Sequence, residues 1–386
     1  MNGFIPLSVP NLNGNEMKYV SEAIKSEWVS TGGPFVTRFE SEIGDYIGAS
    51  AVACQSGTAG IHLSLLSAGI GIGDEVLAPT LTFIAAINPI KYVGAQPVFL
   101  DCDDSLCIDP EKLESFCKNN CDIKDGKLIN KASQAHIKAL IVVHIFGNMA
   151  DMESIMEICA KYHLIVIEDA TEAIGTYYTH GRYNGGHAGT LGRTGVYSFN
   201  GNKLITTGGG GMIIGNDEDA LKKIRYLSTQ AKDDELNFIH NEIGYNYRMT
   251  NLQAAVGIAQ LEQIEKFIHT KKQNYDIYKN VLDGVKKIKL LPFRDGTRPN
   301  YWFYSIVLED GYPMDKTGMI RHLGEHNIQA RPVWGLIHEQ KPYRSNQIYM
   351  IEKAEYYQRR IVNPPCSTNL NEDDARAIAR LIADRA

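Results

Sequence analysis

The 386-residue chain lacks the features that mark several whole classes of protein. It has no run of Lys or Arg and a formal net charge of −6, so neither nucleic acid nor an anionic membrane is its expected partner. No apolar stretch approaches a membrane span, and the opening "MNGFIPLSVPNLNG" has no apolar core of signal-peptide length, so a cytoplasmic location is expected. The seven cysteines contain no Cys-x-x-Cys pair. Cys117 and Cys121 stand four apart without a histidine cluster, so no metal site is expected, and the odd count fits a reducing compartment. Internal repeats and low-complexity tracts are absent as well.

What is present is a large apolar fraction, 44% against 22% charged, in a chain long enough for two domains packed as one body. Apolar runs alternate with amphipathic ones. Strands are expected at 51–55, 75–79, 97–101, 137–145, 164–169, 195–199 and 210–215, with helices between them, including one through "FIAAINPIKYVG". Continuous Val/Ile/Leu strands separated by helices predict an α/β fold: a mostly parallel central sheet covered by helices on both faces. Helices are expected to dominate from about 221 to 282. A smaller C-terminal α+β part then follows, giving domains 1–255 and 256–386.

Ligands of such sheets sit at the carboxyl ends of the strands, which singles out four positions. In "CQSGTAGIHL" a strand runs into Gly57, Thr58 and Ala59 and then a helix, where free N–H groups and the helix dipole favour a phosphate; an ordinary capped turn is the plain alternative. Asp169 ends "HLIVIED" as a carboxylate delivered to a strand tip, which a salt bridge or helix cap would also explain. Phe83 follows a strand end in "PTLTF", where most aromatics are core. Lys203 is the single cation of "VYSFNGNKLITTGGGGMIIG" (196–215), among glycines that permit close backbone approach.

Two nucleotide sites fail on residue order. A phosphate loop needs its glycines before Lys and a Ser or Thr after it, whereas Leu204 follows Lys203 and the glycines come later. The first strand–turn–helix carries "SGTAG" instead of G-x-G-x-x-G. A phosphate-binding helix end, an aromatic, a strand-tip aspartate and a buried lysine are together what pyridoxal 5'-phosphate needs.

On "SGTAGIHLSL", "APTLTFIAAINPIKYVGAQPVFLD", "HIFGNMADMESI", "IEDATEAIG", "YSFNGNKLITTGGGGM", "GYNYRMTNLQAAVGIAQLE" and "IQARPVW", the chain resembles the DegT/DnrJ/EryC/StrS sugar-nucleotide aminotransferases over nearly its whole length. The resemblance implies the fold of aspartate aminotransferase (type I pyridoxal-phosphate enzymes) and a homodimer with shared active sites. It makes Lys203 the cofactor-binding lysine and general acid/base, pairs Asp169 with the pyridinium nitrogen and stacks Phe83 on the ring. Gly57, Thr58, Ala59 and Ser198 would hold the phosphate, with Asn246 reaching it from the partner subunit. Glu172, a cofactor-binding candidate, falls where many members have a glutamine near the ring hydroxyl, and would tune the ring's electronics or accept a hydrogen bond from a sugar amide; Arg331 and His338 are candidate substrate contacts. Trp334 reads as core or dimer interface.

The implied reaction takes an amino group from L-glutamate to a keto-sugar linked to a nucleotide. "FNGNKLITTGGGGM", "STQAK" and "NYWFYSIVL" resemble the branch acting on UDP-2-acetamido-2,6-dideoxy-hexos-4-ulose, toward bacillosamine and legionaminic acid. A GDP-perosamine synthase is the nearest alternative. Relatives that dehydrate sugars carry histidine where Lys203 stands, and a cofactor-binding regulator without turnover would not need the full set. The segment "GRYNGGHAGTLGRTG" looks longer than its counterpart in most members.

Overall fold

A computed structural model describes residues 3–384 except 235. Its strands are β1 (Ser50–Cys54), β2 (Asp74–Pro79), β3 (Gln96–Leu100), β4 (Cys121–Lys124), β5 (Lys127–Asn130), β6 (His136–Val143), β7 (Ile165–Asp169), β8 (Tyr177–Tyr178), β9 (Thr194–Ser198), β10 (Gly211–Gly215), β11 (Ile288–Leu290), β12 (Thr297–Arg298), β13 (Ile306–Leu308), β14 (Arg331–Pro332), β15 (Ile348–Tyr349) and β16 (Ile361–Asn363). The helices are α1 (Glu16–Lys25), α2 (Pro34–Ile47), α3 (Gly57–Ser67), α4 (Asn88–Tyr92), α5 (Pro110–Asn120), α6 (Met152–Tyr162), α7 (Glu218–Ser228), α8 (Asn251–Leu261), α9 (Ile264–Leu282), α10 (Lys316–Glu325), α11 (Lys353–Arg360) and α12 (Glu372–Ala383).

The central sheet runs β1-β10-β9-β7-β6-β2-β3-β15. Five neighbouring pairs are parallel, and β10 pairs antiparallel with both β1 and β9. Along this path β10 alone is therefore reversed, and the carboxyl ends of the other seven strands share one edge. The strands β2, β6 and β7 are buried nearly end to end, as both-face helix cover requires. A second sheet, β11-β13-β16-β14, belongs to the C-terminal part.

Two expectations need correction. The helix through "FIAAINPIKYVG" is a 3-10 turn at Ile84–Ala86 followed by the short α4, because Pro89 lacks an N–H and fits only a first helical turn. The described residues of 229–250 are not helical: Gln230, Ala231 and Phe238 take positive φ, and N–H groups of the stretch pair with Leu227, Ser228 and Ile239 carbonyls. The sequence signal for the hairpin β4–β5 is weak, since each strand is four residues long, β4 is mostly exposed, and β5 offers only Leu128 as a buried apolar residue.

Position 255 lies inside α8, and the chain crosses between its two parts more than once. β15 adds to the large sheet beside β3, and Ile5 bridges Ile328. Among the described residues no helix is long and apolar enough to cross a membrane, and no metal-binding group of His, Cys, Asp and Glu forms.

Candidate active site

The shared strand edge opens into a cavity of about 380 Å³. Several of its residues are delivered at or just beyond the end of a buried strand. Asp169 closes β7, Ser198 closes β9, and Thr82 and Phe83 follow β2; all line the cavity with Gly57, Thr58, Glu172 and Lys203. Seven of the predicted residues thus meet in one place although they span 147 positions of sequence.

At the phosphate end, Gly57 and Thr58 are the first residues of α3, where N–H groups have no intrahelical acceptor. Ser56 is the N-cap, and its Oγ accepts Ala59 N–H at 3.1 Å. Ala59 is therefore already bonded and does not line the cavity, unlike its neighbours. A Cβ on Gly57 would stand 2.8 Å from Thr171 Cγ2 and 3.1 Å from Ser198 Cβ, so only glycine keeps this cradle open.

Asp169 is buried, and its Oδ1 accepts Thr171 N–H at 3.0 Å. Burial pushes its carboxyl above the usual range, while Thr171 and the Lys203 charge oppose the shift. Glu172 is also buried and raised by burial; Lys203 and the Phe146 N–H, 2.7 Å from Oε2, pull the other way. Lys203 Nζ lies 3.4 Å from Glu172 Oε1 and 4.2 Å from the centre of the Trp302 ring.

The wall opposite the helix end is aromatic. Trp334 packs on Phe83 at 5.9 Å and on Phe146 at 4.9 Å between ring centres, and Phe303 stacks on Trp302. Trp302, Phe303 and Trp334 all line the cavity. Sequence reasoning missed the first two and read Trp334 as core or dimer interface. The "YWFY" run was the available signal, in a chain with three tryptophans.

Besides Ala59, three candidates fall outside the cavity lining. Asn246 is exposed, between Tyr245 and Tyr247, which stack on each other and ring His62. Arg331 is exposed on β14, three residues before Trp334. His338 holds Thr80 Oγ1 at 2.6 Å through Nδ1, the geometry of a structural histidine. Beneath Asp169, Glu168 accepts the N–H groups of Gly189, Leu191 and Gly192 and pairs with His144 Nε2 at 2.8 Å. His144 Nδ1 accepts Ala150 N–H, so Nε2 carries the hydrogen. The segment 181–195 is thereby tied to the floor of the sheet.

The donor set suits pyridoxal phosphate: helix N–H groups for a phosphate, a buried carboxylate for a ring nitrogen, and a lysine inside an aromatic-walled cavity. A type I fold with such a site defines a pyridoxal-phosphate-dependent aminotransferase. The chain belongs to the DegT/DnrJ/EryC1/StrS aminotransferase family, whose model matches residues 10–383. It is 36% identical over 385 residues to EpsN of Bacillus subtilis, named as a pyridoxal phosphate-dependent aminotransferase, covering 98% of this chain and 95% of the relative. It is 37% identical over 381 residues to a GDP-perosamine synthase of Caulobacter vibrioides, covering 98% and 97%. Among solved structures, a DegT DnrJ EryC1 StrS aminotransferase from Brucella abortus superposes with a TM-score of 0.86 at 27% identity, over 96% and 95% of the two chains. The chain is a sugar aminotransferase that uses pyridoxal phosphate.

Proposed function

We propose that the enzyme moves the amino group of L-glutamate to the C4 ketone of a nucleotide-linked 4-keto-6-deoxyhexose. The convergence of Lys203, Asp169 and the α3 N-terminus on one cavity carries this reading. Pyridoxal phosphate supplies, when bound, an aldehyde that condenses with amines and a ring that takes up the electron pair left on the adjoining carbon. Gly57 and Thr58 N–H groups and the Ser198 hydroxyl would hold its phosphate, and Phe83 would cover the ring. Asp169 keeps the ring nitrogen protonated. Lys203 Nζ would take up the proton released from the amino-acid α-carbon and keep it in the cavity for the next transfer. In the second half-reaction it protonates C4 of the sugar. Arg331, an exposed guanidinium on β14, takes the donor carboxylate or the nucleotide diphosphate.

The working unit is a homodimer in which a second copy brings its Asn246 to the phosphate. Supporting this, Asn246 is exposed, and the segment just before it in sequence carries Leu236, Phe238, Ile239 and Ile243, four apolar side chains left in solvent. Lys203 is also the one cation lining the cavity of a single chain among the described residues. Sedimentation giving a monomer at working concentration would overturn the shared site.

The UDP-linked 2-acetamido acceptor is favoured by "FNGNKLITTGGGGM", "STQAK" and "NYWFYSIVL". A GDP-linked 4-keto-6-deoxymannose is the second reading, favoured by the name of the Caulobacter relative. The test is a visible spectrum with pyridoxal phosphate, then with L-glutamate, then with each keto-sugar and mass spectrometry of the product. A band that bleaches with glutamate in wild type and never forms in Lys203→Ala supports the donor half-reaction. Amination of one sugar alone identifies the acceptor, and a band indifferent to every amino donor overturns the reading.

A further inference from the structure

Two buried carboxyls line the cavity, and the reading above gives chemistry to only one of them. Glu172 is the other, and its surroundings fix it with unusual thoroughness. Oε2 accepts Phe146 N–H at 2.7 Å, from a phenylalanine held at φ 57°, a conformation that costs a bulky residue energy and persists where the neighbourhood imposes it. The Glu172 carbonyl accepts Asn300 Nδ2 at 2.8 Å, and Asn300 Oδ1 accepts Trp302 N–H at 2.9 Å. Asn300 is fully buried and thus ties together the two groups that flank Lys203 Nζ, the Glu172 carboxyl and the Trp302 ring.

Resting on the reading of Lys203 given above, we infer that Glu172 is a second proton carrier of the site, taking the proton that Lys203 Nζ gives up and later returning it. The step moves one proton from Nζ to Oε1 across 3.4 Å: ammonium becomes amine, carboxylate becomes carboxylic acid, and the charge of the pair stays the same. Lysine must be a neutral amine to act as nucleophile or base, and a partner inside the cavity lets it become one without releasing the proton to water. Burial suits Glu172 to this, because it raises the carboxyl, and the charge of Asp169 adds to the shift.

The other groups facing the pair do not compete for the role. Asp169, from the end of β7, is assigned to the ring nitrogen. His144 behind it is engaged with Glu168 and Ala150. The Phe146 turn contributes a backbone N–H, and the 300–303 segment contributes aromatic rings and amides.

Glu172→Gln is the decisive variant, because its amide oxygen still accepts Phe146 N–H while the side chain can no longer take a proton. In the holoenzyme, glutamate-driven bleaching of the visible band should slow about a hundredfold, the lower end of what a placed proton carrier contributes, with its pH profile displaced. Difference infrared spectra should show a protonated-carboxyl band in wild type that is lost in Glu172→Gln. Glu172→Asp, which keeps the proton site but alters the shape, should recover part of the rate. Wild-type bleaching and pH profile in Glu172→Gln, or a Gln variant faster than Asp, would overturn the proposal and leave Glu172 a structural group. A wild-type protein that takes up no cofactor, or does not bleach, would instead sink the transaminase reading on which this rests.

Discussion

Trp302 is bound to the loop it covers: its Nε1–H donates to the carbonyl of Asn202 at 2.9 Å, and Lys203, the next residue, places Nζ 4.2 Å from the centre of its ring. The indole is 2% exposed and so acts at once as a lid on the lysine and as a hydrogen-bond anchor for the turn that carries it. Trp302→Phe keeps an aromatic face but loses the anchor. It should cost about 1 kcal/mol of stability and slow the donor half-reaction. Trp302→Ala also opens a cavity and should cost about 3–5 kcal/mol. Urea midpoints with single-turnover rates separate the two effects; unchanged bleaching in Trp302→Phe would deny the anchor a part in catalysis.

Gly195 shows how tightly the 181–195 segment is held. A Cβ there would sit 2.1 Å from the Gly189 carbonyl oxygen, and that backbone cannot retreat because Glu168 holds the Gly189, Leu191 and Gly192 N–H groups. Gly195→Ala should therefore destabilise by about 3 kcal/mol or more, as overpacking against fixed backbone does, although no cofactor contact is removed. A melting temperature within a degree of wild type would show the segment to be freer than these bonds imply.

The site was legible where a strand end announced it. Asp169 and Ser198 close buried strands, Gly57 and Thr58 open a helix after one, and Lys203 stands alone among glycines, so each had a local signal. Trp302, Phe303 and Asn300 had none of that kind, because they enter from the C-terminal half, more than a hundred residues from the strands they meet. Ala59 belongs to the same motif as Gly57 and Thr58, but the Ser56 cap takes its N–H and it does not line the cavity. The sheet order was likewise not readable, and the reversal of β10 follows from its pairing with β1 and β9 rather than from its composition.

Asp169 should show a trade between activity and stability. Its carboxyl is raised by burial, against the pull of Thr171 and Lys203. For an acid with a folded value above its unfolded one, the ionised form lowers stability once the pH exceeds those values. Asp169→Asn should then leave the apoprotein at neutral pH as stable as wild type or more so. The same variant should still take up pyridoxal phosphate yet lose the charge that fixes the ring proton, slowing glutamate-driven bleaching about 10²–10³-fold. An apoprotein clearly less stable than wild type would mean that Asp169 is needed to hold the fold.

Asp101 makes the opposite case, a carboxylate the fold needs charged. It is buried at the end of β3, where Oδ2 accepts Glu352 and Lys353 N–H, each at 2.9 Å, together with Lys112 Nζ at 2.6 Å, and Oδ1 accepts Ala354 N–H at 2.7 Å. These donors cap the start of α11 and fasten the C-terminal part to the large sheet beside β15. Burial alone would raise this carboxyl, but Lys112 and the three backbone N–H groups outweigh it and hold it below the ordinary aspartate value. A depressed folded value gives stability that is present in full above the unfolded value and lost as the pH falls through the folded one. The loss therefore belongs to the region below about pH 4. Asp101→Asn removes that contribution at every pH and leaves Lys112 Nζ with the exposed Glu352 carboxylate and the Met350 carbonyl. It should cost about 3–5 kcal/mol at neutral pH, the usual result of breaking a buried pair, and it should flatten the acid limb of a stability-against-pH curve. Parallel limbs for the two proteins between pH 2 and 5 would show that other carboxylates govern acid unfolding and that this latch is not what the low-pH transition reads.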